Sequence, residues 1–265
     1  MAEAFLKKYS HSRYQAEVRM KLGEMLYRRG DYLGARGQFT IITEEFPESP
    51  LAEKAQFLSA QAMARSMDPN AMEDAIEEFE RVAKADGPLS VQASLAQAVL
   101  YNALKRPKDA LGVLDGILAD KPTAELRYTA LVEKGDTFNA LGAQDPANFR
   151  SAIAAWEEIT KDPTAPKEWL YQAYVKMGAA YEKLHDTDAA LNCYYSVFSA
   201  EQKGAPEYFW YYKAGFAAGD LLESQKLWKE AIAVYEKIGS IEGPRAEEAA
   251  GRVNKLRLEN FIWEN

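Results

Sequence analysis

The segment Ala35-Arg36-Gly37-Gln38-Phe39 places an alanine four positions before a large aromatic residue, and this spacing recurs along the whole chain. Residues four apart lie on the same face of a helix. A small residue beside a large one on that face lets a neighbouring helix approach closely, so each pair predicts a helix packed against another. The pairs follow one another at intervals of 40, 35, 42, 38 and 41 residues, which is typical of repeat proteins. The six pairs are Ala35/Phe39, Ala75/Phe79, Ala110/Leu114, Ala152/Trp156, Ala190/Tyr194 and Ala231/Tyr235.

In four of the repeats, a second small residue precedes the alanine by twelve positions. It predicts a first helix whose small side chain faces the alanine of the second helix across a short turn. Proline follows the second helix and ends it, because proline cannot continue the helical hydrogen bonds. The small residues are Gly23, Ala98, Gly178 and Gly219, and the prolines include Pro47, Pro88, Pro122 and Pro244.

This pattern of small-x-x-aromatic, Ala-x-x-x-aromatic and proline on a helix–turn–helix of about 34 residues resembles the tetratricopeptide repeat. The resemblance covers nearly the whole chain and implies a single all-α domain, a right-handed α-α superhelix of about six repeats. Repeats two and four need insertions, and the tryptophan that the family carries near the repeat start is missing. The repeats are expected at residues 16–49, 53–88, 91–124, 128–165, 171–204 and 212–245, with a C-terminal capping helix over 244–260.

Both ends of the chain depart from this regular pattern. Phe5, Tyr9 and Ser12 repeat the spacing of Ile42, Phe46 and Ser49 at the close of repeat one. Residues 1–9 therefore predict the end of a preceding helix, and the chain is expected to be a fragment of a longer one; a simple N-terminal cap is the alternative. The segment 261–263, Phe-Ile-Trp, is more apolar than a cap requires, so it is expected to fold back or to dock elsewhere.

The junction over residues 46–55 reads F-P-E-S-P-L-A-E-K-A. It resembles the inter-repeat junction of bacterial envelope tetratricopeptide proteins, such as outer-membrane assembly lipoproteins and periplasmic cell-division coordinators. The local physics is that Pro47 stops one helix, Ser49 caps the next and the alanines permit close stacking. The junction favours a bacterial protein of the periplasm or cell envelope slightly over a cytoplasmic one, and leaves the compartment open.

Composition limits the classes of partner. The 32 Lys and Arg residues against 40 Asp and Glu give a net charge of −8, with no block of five like charges. This balance disfavours non-specific binding to nucleic acid or to anionic membranes, because both need positive charge near phosphates. No run of 18 apolar residues predicts a transmembrane helix. A single cysteine, Cys193, excludes an intramolecular disulfide and a cysteine-rich zinc site.

Sequence motifs for catalysis are missing, and no cofactor or metal is expected. The chain has no phosphate-binding glycine loop, no nucleophile elbow, no H-E-x-x-H and no C-x-x-C. His11 and His185 are 174 positions apart and fall near predicted turns, so neither has a catalytic partner in sequence. Cys193 is expected to pack in the core. Paired glutamates such as Glu157-Glu158 are expected on a solvated face, and the chain is predicted not to be an enzyme.

The family resemblance implies that positions 2, 5, 9, 12 and 13 of each repeat face a concave groove. Position 5 is apolar throughout, whereas positions 9 and 12 carry several acidic residues. This groove would suit a protein or peptide segment with apolar anchors and some basic residues. The alternative is that position 5 is ordinary core between adjacent first helices. Met20 and Glu24 differ from the Lys and Asn of the carboxylate clamp in some relatives, so that mode is not supported. The candidate groove residues are Met20, Glu24, Tyr27, Phe57, Gln61, Leu95, Asn102, Val132, Asp136, Val175, Phe216 and Asp220.

A run of five aromatic residues opens repeat six. Since the sides of a helix face all directions, one or two of these rings are expected to be exposed and to form a contact patch. Oligomerisation, partner binding and cover by the C-terminal tail are equal alternatives for this patch. Its members are Tyr208, Phe209, Trp210, Tyr211 and Tyr212.

These observations predict a non-catalytic protein-interaction scaffold. Two alternatives are the interaction segment of a bacterial envelope assembly protein and a recruiting domain fused to an enzyme. The partner, the biological process and the oligomeric state do not follow from the sequence.

Overall fold

The computed structural model describes residues 2–65, 68–198, 208–241, 243 and 245–262, without the side chains of Glu3 and Tyr208. In these ranges it contains fourteen α-helices and no strand. The helices are α1 (Ala2–Lys8), α2 (Gln15–Arg28), α3 (Tyr32–Glu45), α4 (Ala52–Ala64), α5 (Pro69–Lys84), α6 (Ser90–Ala103), α7 (Pro107–Ala119), α8 (Ala124–Leu141), α9 (Ala147–Thr160), α10 (Lys167–Lys183), α11 (Thr187–Phe198), α12 (Tyr208–Ser224), α13 (Trp228–Gly239) and α14 (Ala246–Glu259).

The chain folds as two compact units, Met1–Thr137 and Phe138–Asn265. Within each unit, helices that follow one another in sequence pack side by side, as in α2 against α3 and α3 against α4, or α12 against α13 and α13 against α14. This arrangement confirms the predicted all-α repeat fold, in which a first and a second helix form each repeat. The unit boundary falls within α8, and the prediction of one continuous domain over 1–265 stays a prediction.

All twelve residues of the six alanine–apolar pairs are buried. Their side chains lie on second helices, α3, α5, α7, α9, α11 and α13, at the positions where the sequence places them. In unit 1, Ala35 and Phe39 share a core cluster with Ala16 and Met20 of α2. Burial of an aromatic ring removes a large apolar area from water, so these pairs carry much of the packing energy of each repeat.

The glycines of the first helices lie directly under the aromatic rings. A Cβ built on Gly23 would stand 2.5 Å from Cε1 of Phe39, and one built on Gly178 would stand 2.5 Å from Cε1 of Tyr194. Gly219 has the same relation to Tyr235. The closest neighbour of each glycine is therefore the ring itself and not the alanine that the sequence pattern suggested. The ring occupies the space that a side chain at the glycine would need.

Replacing Gly178 by Ala is expected to lower the free energy of unfolding by about 1–3 kcal/mol, because the new methyl group would displace the Tyr194 ring. The matched control is Gly251→Ala on α14, where a built Cβ meets nothing within 4 Å. That change should raise stability by about 0.4–1 kcal/mol through helix propensity. Urea unfolding followed by circular dichroism measures both. Equal effects of the two substitutions would contradict the close packing under Tyr194.

The turn that ends a first helix has the same form in four repeats. One residue adopts a left-handed conformation, with φ of +82° at Gly30, +61° at Lys105, +58° at His185 and +60° at Lys226. The residue after it donates its N–H to the carbonyl five positions back, as Asp31 does to Leu26 at 3.0 Å. The hydrogen bonds of these two residues satisfy carbonyl groups at the end of the helix that have no partner within the helix. His185 therefore belongs to a structural turn.

The first helices α8, α10 and α12 begin about one turn before the predicted repeat starts at 128, 171 and 212. In α10 and α12, aromatic residues lie in this added turn, including Trp169 and Trp210, which are both half-buried. Trp210 packs against the core of unit 2. These helices are therefore longer at their N-terminal ends than the predicted repeats, and in α12 the contact of Trp210 with the core accompanies the added turn.

The capping helix forms as predicted, at α14. Its buried residues Ala249, Val253 and Leu256 pack into the core of unit 2. Beyond it, Ile262 packs against the same core, whereas Phe261 is exposed. Trp263 lies outside the described residues, as do residues 199–207, which include part of the predicted fifth repeat.

Candidate functional site

Position 5 of the repeats is mostly core in this structure. Five of its six side chains are buried, and the sixth, Phe57, is half-buried against the ring of Phe79 at 5.4 Å. In unit 2, the Phe216 ring lies 5.7 Å from Tyr235, and the guanidinium of Arg245 lies 3.9 Å from its centroid. The chain itself thus covers most of the apolar stripe. The five buried members are Met20, Leu95, Val132, Val175 and Phe216.

The polar candidates of unit 1 tie adjacent first helices together. Glu24 on α2 accepts hydrogen bonds from Lys54 on α4 at 2.8 Å and from Lys21 at 3.0 Å. The hydrogen bond from Lys54 is the largest cause, and that from Lys21 the next, of a pKa of Glu24 that lies below its usual value. Arg65 at the end of α4 donates to the hydroxyl of Tyr27 at 3.1 Å. These contacts join repeat one to repeat two.

The same kind of tie joins repeats three and four within unit 1. The amide nitrogen of Asn102 on α6 donates to the hydroxyl of Thr137 on α8 at 2.8 Å. Thr137 is buried and donates in turn to the carbonyl of Glu133 at 2.8 Å. Asp136, the neighbouring candidate, is half-buried. Position 12 of repeat three is therefore a polar link between first helices, with the rest of the Asn102 side chain half-buried.

In unit 2 the candidate Asp220, together with Glu223, contacts a buried tyrosine. The hydroxyl of Tyr235 donates to Oε1 of Glu223 at 2.7 Å and lies 3.0 Å from Oδ1 of Asp220. Arg252 of α14 pairs with Asp220 at 3.2 Å and with Glu223 at 3.3 Å. Burial, and then the hydrogen bond to Glu223, raise the pKa of Tyr235. These carboxylates hold the capping helix against α12.

Repeat five contains the same tyrosine–carboxylate pair. The Tyr194 hydroxyl donates to Glu182, and burial is the main cause that raises the pKa of this tyrosine. In both repeats the carboxylate precedes the tyrosine by twelve positions, from Glu182 to Tyr194 and from Glu223 to Tyr235. This spacing is visible in the sequence, and it would have identified position 12 as a partner of the buried ring.

Position 9 is where apolar side chains remain open to solvent. Val99 on α6 is 46% exposed, and Ala179 on α10 is exposed as well. Gln61, the position-9 residue of repeat two, is half-buried. Val99 and Ala179 are thus exposed apolar residues on first helices, and near Val99 the polar side chains of Asn102 and Thr137 are hydrogen-bonded to each other.

The aromatic run divides between core and surface. Tyr211 and Tyr212 are buried, with Tyr211 stacked on Phe198 at 5.0 Å between ring centroids. Phe209 is 63% exposed, and Lys213 holds its ammonium 5.8 Å from that ring and 5.3 Å from the Trp210 ring. The exposed part of the patch is therefore Phe209 with the partly buried Trp210. The side chain of Tyr208 lies outside the described residues.

The described part of the chain shows little that resembles a reactive site. Cys193 is buried, and burial, with smaller contributions from Glu157 and Asp186, raises its pKa to about 11. Its thiol thus stays protonated at neutral pH, as in the predicted core role. No group of three or more His, Cys, Asp or Glu residues is placed to hold a metal ion in the described ranges. Nor is any described helix long and apolar enough to cross a membrane.

Sequence comparison identifies the repeats directly. Sequence models of the tetratricopeptide repeat match residues 17–49 and 72–125. The chain carries tetratricopeptide repeats. The matched ranges coincide with α2 and α3 and with most of α5 to α7, so the predicted family is confirmed. A comparison with curated protein sequences finds no significant match.

Solved structures share the tetratricopeptide fold at low sequence identity. MamA is 19% identical with a TM-score of 0.52, over 74% of this chain and 100% of MamA. PilW, described as a widely conserved type IV pilus biogenesis factor, is 16% identical with a TM-score of 0.53, over 96% of this chain and 97% of PilW. Cut9, from the APC/C hetero-tetramer Cut9-Hcn1, is 15% identical with a TM-score of 0.53, over 96% of this chain and 45% of its own length. At these identities the likeness concerns the fold alone.

The tetratricopeptide fold is generally a protein-interaction scaffold without catalysis of its own. In this chain, the structure describes a different state for several of the groove residues that the resemblance implies. The resemblance placed Met20, Val175 and Phe216 in a groove, whereas the structure buries them. It gave no sign that Glu24 and Asp220 are held by Lys54 and Arg252. The burial of these apolar residues and the ion pairs of these carboxylates both depend on a neighbouring helix, which lies about one repeat away in sequence.

Proposed function

We propose that this tetratricopeptide-repeat chain is a non-catalytic scaffold that binds a partner protein segment through the first-helix surface of its repeats. The observation that carries the proposal is the exposure of Val99 on α6, a helix whose Leu95 and Leu100 are buried. Val99 lies in the repeat that the family model matches, with the amide of Asn102 one turn away on the same helix. An apolar centre with polar neighbours is the usual composition of a peptide-binding surface.

The proposed partner carries an apolar anchor, with basic residues in a secondary role. The carboxylates of Glu24, Asp220 and Glu223 are already paired with lysine or arginine of this chain. A basic residue of the partner would have to compete with these cations, which limits its net contribution. Apolar contact at Val99 meets no such competition. It is therefore expected to contribute more affinity, and the charges to orient the partner.

The experiment is an affinity capture from lysate of the source organism with wild-type chain and the Val99→Glu variant, followed by titration of the captured partner. The variant should keep its helicity, because the side chain is exposed, and should bind the partner about tenfold more weakly or worse. Leu33→Glu is the matched control, since Leu33 is an exposed apolar residue on the second helix α3. It should bind like wild type.

Equal partner affinity of wild type and Val99→Glu would contradict the proposal and would direct attention to Phe209 and Trp210. The double variant Phe57→Glu/Phe216→Glu is a poor probe of the same surface. Phe216 is core, so loss of binding in that variant would follow from loss of structure.

A place in a bacterial envelope assembly is the second candidate. It is supported by the junction over residues 46–55, where the N–H of Leu51 bonds to Oγ of Ser49 at 3.2 Å and α4 starts at the next residue. We propose the periplasm or cell envelope as the compartment on this ground. Fractionation of source cells with an antibody against the chain tests it, and recovery in the cytosolic fraction would reject it.

A further inference from the structure

The first helices of repeats three and five, α6 and α10, end in matching turns that carry opposite charges. Tyr101 on α6 and Tyr181 on α10 each follow the small residue of their helix by three positions. The N–H of Arg106 bonds to the carbonyl of Tyr101 at 2.8 Å. In the same way, the N–H of Asp186 bonds to the carbonyl of Tyr181 at 3.0 Å. Arginine in one repeat therefore stands at the backbone position of aspartate in the other.

The helices packed against these two first helices also correspond. Helix α5 packs against α6, and α9 packs against α10. On α5, Lys84 pairs with Glu80 at 2.7 Å, and on α9, Lys161 pairs with Glu157 at the same distance. Both glutamates directly follow the aromatic residue of their alanine–apolar pair. Repeat three can therefore serve as an internal reference for what occupies this place in repeat five.

In repeat three, an arginine of the chain itself covers the tyrosine. The guanidinium of Arg106 lies 4.7 Å from the centroid of the Tyr101 ring. Its Nη1 donates to both carboxylate oxygens of Glu73 on α5, at 3.0 and 3.1 Å. Its Nε donates to Oδ2 of Asp109 at 2.6 Å. The place beside this tyrosine thus holds a cation that contacts the ring and is paired with carboxylates.

In repeat five, the same place is an open cavity of about 420 Å³. Arg150 precedes the alanine of α9 by two positions, as Glu73 precedes that of α5, so the charge is reversed on this side as well. Asp186 is much shorter than the Arg106 that it replaces, and it leaves the space beside Tyr181 unfilled. The cavity lining includes Arg150, Ile153, Glu157, Tyr181, Leu184 and Asp186.

Two opposite charges of this lining have no counter-ion. Arg150 is exposed and makes no ion pair within the described part of the chain. Oδ1 of Asp186 accepts the N–H of Ala189 at 3.1 Å, but no Lys or Arg among the described residues pairs with this carboxylate. Glu157 is already held by Lys161. The cavity therefore offers one cation from α9 and one carboxylate from the turn between α10 and α11.

We propose that this cavity binds a zwitterion of the amino-acid type with an apolar side chain. Its carboxylate pairs with Arg150. Its ammonium pairs with Asp186 and contacts the face of Tyr181, as the guanidinium contacts the tyrosine in repeat three. The apolar side chain packs on Ile153 and Leu184, in the usual composition of a small-molecule site. A simple cation would be repelled by Arg150 and a simple anion by Asp186, so a ligand with both charges fits best.

Direct pairing of Arg150 with Asp186 is the competing arrangement, since it would close the cavity without a ligand. The described structure does not contain this pair. Aspartate is also one methylene shorter than the glutamate that reaches Arg106 in repeat three. The proposed site is separate from the Val99 surface and does not depend on it.

The test is isothermal titration calorimetry of the full 265-residue chain with L-leucine, L-methionine and L-phenylalanine at millimolar concentrations. Saturable binding of at least one of them is expected, with one ligand per chain. Two analogues of leucine separate the charges: isocaproate lacks the ammonium, and isoamylamine lacks the carboxylate. Neither analogue should bind measurably.

Variants of the two charged residues assign the binding to this cavity. Arg150→Gln and Asp186→Asn should each weaken binding about tenfold or more. Asparagine still accepts the N–H of Ala189, so the turn keeps its form. The double variant Arg150→Glu/Asp186→Arg restores the arrangement of repeat three, fills the cavity and should abolish binding. Arg106→Gln, at the equivalent position in repeat three, is the matched control and should bind like wild type.

Circular dichroism confirms that each variant is folded. The proposal would be overturned if none of the three amino acids bound to wild type, or if both single variants bound as wild type does. Equal binding of isocaproate or isoamylamine would reject a zwitterion. Urea unfolding without ligand tests the competing pair: midpoint shifts of Arg150→Gln and Asp186→Asn that fail to add in the double variant Arg150→Gln/Asp186→Asn would show that the two residues bind each other, and would also reject the site. Each of these failures leaves the Val99 experiment unaffected.

Discussion

The Trp156→Ala variant is expected to lose about 3–5 kcal/mol of unfolding free energy, because it deletes a fully buried indole from the core of unit 2. Trp156 completes the fourth alanine–apolar pair on α9, and the ammonium of Lys176 on α10 lies 5.9 Å from its ring. Truncation therefore removes both the buried apolar area and a cation–π contact, and leaves a cavity that the surrounding helices fill only in part.

Urea unfolding monitored by circular dichroism measures this loss, and Phe209→Ala is the matched control. Phe209 is an aromatic residue of the same unit, but it is mostly exposed, so its truncation should change stability by no more than about 0.5 kcal/mol. A loss below about 1 kcal/mol for Trp156→Ala would mean that the repeat register around α9 is wrong.

The Phe216→Glu variant should destabilise unit 2 by about 4 kcal/mol or more. The change removes the burial of an aromatic ring and puts a charge among buried apolar side chains. Arg245, which lies over the ring, already makes two hydrogen bonds of 2.8 Å to Glu248, so it is a poor counter-ion for the new carboxylate. The midpoint of urea unfolding, read from the far-ultraviolet signal, should fall accordingly.

Two further variants separate burial from groove exposure at position 5. Phe216→Leu keeps most of the volume and apolar character and should lose less than about 1.5 kcal/mol. Phe57→Glu alters a half-buried ring, so its loss should lie between those of the two Phe216 variants. If Phe216→Glu kept the wild-type midpoint, Phe216 would have to be solvent-exposed, and position 5 would belong to a groove.

The core pairs could be predicted from sequence because they depend on short spacings within one helix or one helix pair. Ala35 and Phe39 are four residues apart, and Gly23 is only sixteen from Phe39. A Cβ built on Gly23 would have the ring of Phe39 as its closest neighbour, whereas the sequence pattern pointed to an alanine. Spacing gives the face of a helix but does not say which of two residues on that face fills the gap.

The state of the first-helix surface could not be predicted, because it depends on how one repeat lies on the next. Phe57 and Phe216 share a repeat position, yet one is half-buried and the other buried. The Phe216 ring gains cover from the C-terminal end of the chain, where Arg245, the residue before α14, lies over it. The aromatic run shows the same limit. Its sequence predicts exposure for some of the rings, but only packing against Phe198 identifies Tyr211 as a buried one.

The close packing of glycine under an aromatic ring has a consequence for how the chain acquires its structure. Gly23 meets Phe39, Gly178 meets Tyr194 and Gly219 meets Tyr235, each across only sixteen residues. Contacts between residues so near in sequence require little loop closure, and proteins rich in them fold quickly. Repeats of this kind can also form one after another, because each depends mainly on its neighbours. During synthesis, the first helix pair can therefore close on itself while the last is still being translated.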